Sequence, residues 1–166
     1  MRILLTVAAA GVALLVTLWA QAQMGGGGMM QGRGMMQGGG MMGGSMVRHQ
    51  YAMHRGIPPE YASKKNPLKA TAENIDAGRA LYTQNCAVCH GPKGAGDGEG
   101  GKALNPRPAN LIGLGRMPVA TDGFLFWTIS EGGTPVKSAM PPYKSVLKED
   151  DIWRLILFVR TLSTGW

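Results

Sequence analysis

The chain has 166 residues, a net charge of +7 and 26 glycines. The charge is uneven: residues 1–69 carry seven Lys/Arg against one acid, Glu60, whereas residues 70–166 carry ten against nine. No nucleic-acid-binding motif accompanies this basic tail, so nucleic acid is excluded as a partner, and a solvated tail near an anionic membrane surface is the modest inference.

Taken in chain order, Met1-Arg2 precedes an apolar run over residues 3–20, and Ala20-Gln21-Ala22 has the form of a signal-peptide cleavage site. The run exceeds the roughly 7–15 residues of a signal core and approaches the roughly 17–25 of a membrane span. Residues 1–22 are therefore expected to be a cleaved signal peptide, with an uncleaved membrane anchor as the alternative. Either places the remainder outside the cytoplasm, in a periplasmic setting.

Residues 24–46 hold eight methionines among glycines, with Met29-Met30, Met35-Met36 and Met41-Met42 recurring every six residues. Glycine loses the most entropy on ordering and nothing here forms an apolar face, so the segment reads as a flexible linker. Thioether sulfur is a soft ligand that suits Cu(I), and His49, Met53 and His54 follow closely, so a copper-binding tail is the alternative. Residues 47–69, with Pro58-Pro59, read as a polar bridge. Residues 23–69 together form the expected linker, and residues 70–166 the only stretch able to build a core.

That stretch reads as helical, with no alternating strand pattern. Thr71 is a good N-cap for a helix through Ile75, Gly78, Leu81 and Tyr82. A glycine-dense loop spans residues 91–101. A second helix runs from about Asp122 and stops at Gly132-Gly133. The last begins near Lys148: Glu149, Asp150 and Asp151 suit the positive end of a helix dipole, and Ile152, Leu155, Ile156, Val159 and Leu162 form an apolar stripe.

The chemistry lies between the first two helices, at Cys86-Ala87-Val88-Cys89-His90. Two thiols three apart with histidine after the second form the attachment motif of a c-type haem. Each thiol adds to one haem vinyl group, and the histidine supplies an axial imidazole. A thioredoxin-like pair needs a preceding strand, and a zinc site needs two further ligands; neither is present. These are the only cysteines in the chain. The sixth iron ligand is expected from Met140, in Ser138-Ala139-Met140-Pro141-Pro142-Tyr143, with Met117 of Arg116-Met117-Pro118 as the rival. The prolines stiffen the loop that carries the sulfur.

Gly78 and Tyr82 before Cys86-x-x-Cys89-His90, then Met140-Pro141-Pro142-Tyr143 and a terminal helix, resemble a class I mono-haem cytochrome c. The resemblance covers about residues 71–162. It implies an all-α fold around one covalent haem c, with the first and last helices crossing at Gly78 and with Tyr82, Leu155 and Phe158 packed around the crossing. It also implies a backbone carbonyl, assigned here to Pro108, accepting the His90 ring N–H. Trp127, Arg107 and Tyr143 are the candidates for the haem propionates. Lys148 stands where a serine or threonine cap is common.

The function that follows is a one-electron carrier with haem c held by Cys86, Cys89, His90 and Met140, serving a redox protein partner rather than acting as an enzyme. Lys93, Lys102, Lys137 and Lys144 flank the expected haem loops and suit an acidic partner. Two other readings stay open: a ligand-binding or peroxidase-like haem protein, which needs a free sixth position, and a copper-handling protein with the methionine tail as metal binder.

Overall fold

The structure, a computed structural model, describes residues 46–164. The expected signal peptide or anchor and the methionine–glycine zone through residue 45 lie outside the described residues.

Seven α-helices follow one another in the described chain, with no strand among them. They are α1 (Val47–Arg55), α2 (Pro59–Ala62), α3 (Ala72–Asn85), α4 (Ala87–His90), α5 (Leu111–Leu114), α6 (Asp122–Glu131) and α7 (Glu149–Thr164). Two single 3-10 turns, Glu99–Gly101 and Thr134–Val136, lie in the loops. None of these helices is long and apolar enough to cross a membrane.

Local chemistry sets the helix ends. Thr71 Oγ1 accepts the Asn74 N–H at the start of α3, and Thr121 Oγ1 accepts the Phe124 N–H at the start of α6. Gly132, at φ +57°, ends α6 where the sequence places a stop. Three acids occupy the first turn of α7.

The frame is the crossing of α3 with α7. A Cβ on Gly78 would lie 2.1 Å from the Arg154 carbonyl oxygen and 3.1 Å from the Phe158 Cβ. The missing side chain is what lets the two backbones approach. Beside the crossing, the Tyr82 and Phe158 rings lie 5.1 Å apart, and Leu155 is buried. The last-helix stripe faces inward at Ile152, Leu155, Ile156 and Val159. Helix α6 is apolar on nearly every side, which suits a buried helix: Phe124, Leu125, Phe126 and Trp127 are all inside. Trp153 of α7 meets Phe126 at 4.3 Å between ring centroids.

Residues 47–69, read from the sequence as a polar bridge, pack onto this core. Ala52 of α1 is buried, Tyr51 packs on Trp127 at 5.7 Å, and Tyr61 of α2 packs on Phe126 at 6.2 Å. Pro59 occupies the first turn of α2, where its missing N–H costs no helical bond. Further on, the Asn66 N–H donates to Asp122 Oδ2 at 2.9 Å, and Asn66 Nδ2 donates to the Trp153 carbonyl at 3.0 Å. The physical reason is that a few aromatic anchors and one asparagine suffice when α6 offers an apolar surface to receive them, whatever the average polarity of the segment.

Candidate haem site

Helix α3 runs directly into the cysteine motif. The Cys86 N–H still bonds the Tyr82 carbonyl at 2.8 Å, and the His90 N–H bonds the Cys86 carbonyl at 2.9 Å, which makes α4 a single turn. Thiols three residues apart on such a turn project to one side. The glycine loop closes over its back: the Gly96 N–H donates to the His90 carbonyl at 2.8 Å and the Gly98 N–H to the Cys89 carbonyl at 3.2 Å.

His90 Nδ1 donates to the Ala109 carbonyl at 3.0 Å. The expected acceptor was Pro108, one residue earlier, so that assignment is corrected. Pro108 directs its carbonyl at the glycine loop instead, where a Cβ on Gly96 would lie 2.7 Å from it. Gly96 has φ +79°, and its bare α-carbon is what allows this approach. Burial pushes the His90 pKa down, partly offset by the Ala109 bond, which favours the neutral ring. With Nδ1–H committed, the Nε2 lone pair is the one left for a metal. Burial, with Cys89 close by, pushes the Cys86 thiol up to about 12.

Cys86, Cys89, His90 and Met140 all line one mostly apolar cavity. Met140 comes from the segment between α6 and α7, and both ends of that segment are pinned to the end of α6. The Gly133 N–H donates to the Met140 carbonyl at 2.6 Å, and the Tyr143 N–H bonds the Ile129 carbonyl at 3.1 Å. Met117, by contrast, packs against the aromatic core around Phe124 and Trp127 and is not among the residues of the cavity wall. Two thiols, a neutral imidazole, a thioether and apolar walls form a donor set and a shape that fit a covalent haem.

The three propionate candidates diverge. Tyr143 and Arg107 line the cavity, but Tyr143 Oη donates to the Asn85 carbonyl at 2.8 Å and Arg107 Nη2 to the Lys102 carbonyl at 3.3 Å. Burial, together with the nearby Cys86 and Cys89, raises the Tyr143 pKa and keeps it a donor. Trp127 is 1% exposed and is not on the cavity wall. Tyr82 Oη donates to the Gly91 carbonyl at 2.6 Å, tying α3 to the glycine loop. Among the four lysines, Lys102 pairs with Glu99 at 2.5 Å and Lys144 with Glu131 at 2.9 Å. Lys93 and Lys137 are exposed.

Sequence reasoning missed the contribution of α1. Arg48 and His49 of α1 also line the cavity. The available signal was the apolar placement of Val47, Tyr51 and Ala52 at helical spacing within a segment read as a bridge.

Among solved structures, the chain is similar to the Kuenenia stuttgartiensis reducing HAO-like protein complex Kustc0457/Kustc0458, at 24% identity and a TM-score of 0.50. That match covers 58% of this chain and 46% of the other, so the chain spans just under half the length of that protein; the likeness is one of fold. It is also similar to cytochrome cL from the marine methylotrophic bacterium Methylophaga aminisulfidivorans, at 25% identity and a TM-score of 0.41, over 70% of this chain and 68% of that one. No curated protein matches the chain. Residues 73–159 match the model of the family described as cytochrome c oxidase, cbb3-type, subunit III. With the helical fold and the cavity at its centre, that match makes the chain a member of this family of c-type cytochrome domains, which carry a covalently bound haem c.

Proposed function

We propose that the protein is an extracytoplasmic one-electron carrier whose haem is attached through Cys86 and Cys89 and ligated by His90 and Met140. The observation that carries this reading is that all four residues line one cavity, while half-buried Met117 packs against the aromatic core and does not line it. When bound, the haem supplies the redox chemistry, its iron passing between the ferric and ferrous states. The chain's own residues do the rest. Ala109 fixes the His90 ring and its tautomer. Gly133 and the prolines after Met140 hold the thioether, so that little rearrangement accompanies electron transfer. A thioether in the sixth position raises the potential and closes the iron to added ligands, which separates a carrier from a peroxidase-like protein. Of the four lysines beside the haem loops, Lys93 and Lys137 are exposed and suit docking to an acidic redox partner. The apolar run ending at Ala20-Gln21-Ala22 supports the extracytoplasmic setting.

The test is a spectroelectrochemical titration of the purified holoprotein with and without carbon monoxide. The expected result is a single one-electron wave that carbon monoxide leaves in place. A ferrous spectrum that shifts fully at low carbon monoxide would identify an open iron and refute the carrier reading.

A further inference from the structure

Arg48 and His49 lie next to each other at the start of α1, and both reach the wall of the cavity that holds Cys86 and Met140. Arg48 is fixed from two sides. Its Nη2 donates to the Gly132 carbonyl, and its guanidinium lies over the Trp127 ring, 4.4 Å from the centroid. Its Nη1, however, is buried with no hydrogen-bond partner, and so is His49 Nδ1. A buried guanidinium with an unfilled donor is costly to leave unpaired. Glu131 is the carboxylate whose charge Arg48 feels, but its oxygens are engaged by Tyr61 and Lys144. Both residues therefore line the cavity while each keeps one buried nitrogen unfilled, and the occupant read for that cavity is an apolar plate bearing two carboxylates.

We propose that Arg48 and His49 receive a propionate carboxylate of the haem. Arg48 Nη1 would donate a charge-assisted bond, with the ring N–H of His49 beside it. Trp127 and Gly132 hold the guanidinium ready, so little side-chain entropy is lost when the carboxylate arrives. The consequence is that α1, which precedes the family-matched residues 73–159, is part of the cofactor site and not an appendage to it. This inference rests on the reading that the haem occupies this cavity through Cys86 and Cys89.

The direct test is nuclear Overhauser spectroscopy on the full-length ferrous holoprotein, whose visible spectrum first establishes that haem is attached. The expected result is through-space contact from the Arg48 and His49 side chains to the propionate methylenes. Redox titration supplies the second readout. Arg48→Gln would leave the carboxylate charge uncompensated, which favours the ferric state, so the midpoint potential falls. Arg48→Lys recovers most of that fall, and Arg55→Gln, on the exposed end of α1, causes none. An intact haem spectrum without contact from either side chain overturns the proposal. So does an Arg48→Gln shift no larger than that of Arg55→Gln, or a His49→Gln variant that loses an axial ligand, which would make His49 a ligand of the iron. Absence of attached haem shows at the first step and defeats the underlying reading together with this one.

Discussion

Gly78 of α3 lies against Arg154 of α7 so closely that a Cβ at Gly78 would stand 2.1 Å from the Arg154 carbonyl oxygen. Backbone cannot swing aside as a side chain can. In an exposed helix, Gly→Ala stabilises by up to about 1 kcal/mol. Here Gly78→Ala is expected to destabilise by about 1–3 kcal/mol through overpacking. Urea denaturation of the holoprotein checks the sign, and a stabilised variant would mean that α3 and α7 are further apart.

The same sign test applies to the segment ahead of α3. A Cβ on Gly123 would lie 2.1 Å from the Tyr61 carbonyl oxygen of α2. If α2 is docked on α6, Gly123→Ala destabilises by about 1–3 kcal/mol. If residues 47–69 were a loose linker, the substitution would instead gain helix propensity. Thermal denaturation of the variant separates the two.

Asp122 predicts a pH dependence. Burial pushes its carboxyl up, but the Asn66 N–H and the Arg160 guanidinium outweigh burial and hold it below its ordinary value of 3.8. A depressed pKa in the folded state means that the unfolded chain takes up the proton first. The contribution is therefore complete above the ordinary carboxylate range and is lost as pH falls from there through the folded-state value. Asp122→Asn is expected to cost about 1.5–3 kcal/mol at neutral pH, the scale of a hydrogen bond to a charged group, and to flatten the acid limb. Melting temperature against pH, for both proteins, is the measurement.

Covalent attachment predicts that haem stays with the polypeptide after acid–acetone extraction and denaturing electrophoresis. Replacing both Cys86 and Cys89 by serine should abolish haem staining, and either single replacement should reduce yield while leaving one thioether. Extractable haem from the unsubstituted protein would contradict this.

Much of this architecture was legible in the sequence because it rests on local rules. Thr71, Gly132 and the acidic first turn of α7 mark helix ends through their own side chains and backbone, and the apolar spacing from Ile152 to Val159 marks a buried face. What escaped depends on distant partners. Tyr51 and Tyr61 sit among charged residues and become anchors only because Trp127 and Phe126 face them. The shift from Pro108 to Ala109 as the His90 partner is a one-residue register set by the approach to Gly96. Arg48 reads as tail basicity, and His49 as a candidate copper ligand, until α1 is docked at the cavity. Met117 and Met140 each precede a proline, so the sequence offers little to tell them apart; their separation follows from where α5 and the end of α6 deliver the chain.

The most direct measurement is therefore the paired substitution of these two methionines, read by the sulfur-to-iron charge-transfer band and the midpoint potential of the holoprotein. Met140→Ala is predicted to abolish the band and lower the potential, because the iron loses its thioether. Met117→Ala is predicted to keep the band and the potential nearly unchanged, while lowering stability through a gap in the aromatic core. Loss of the band in Met117→Ala with its retention in Met140→Ala would contradict the account.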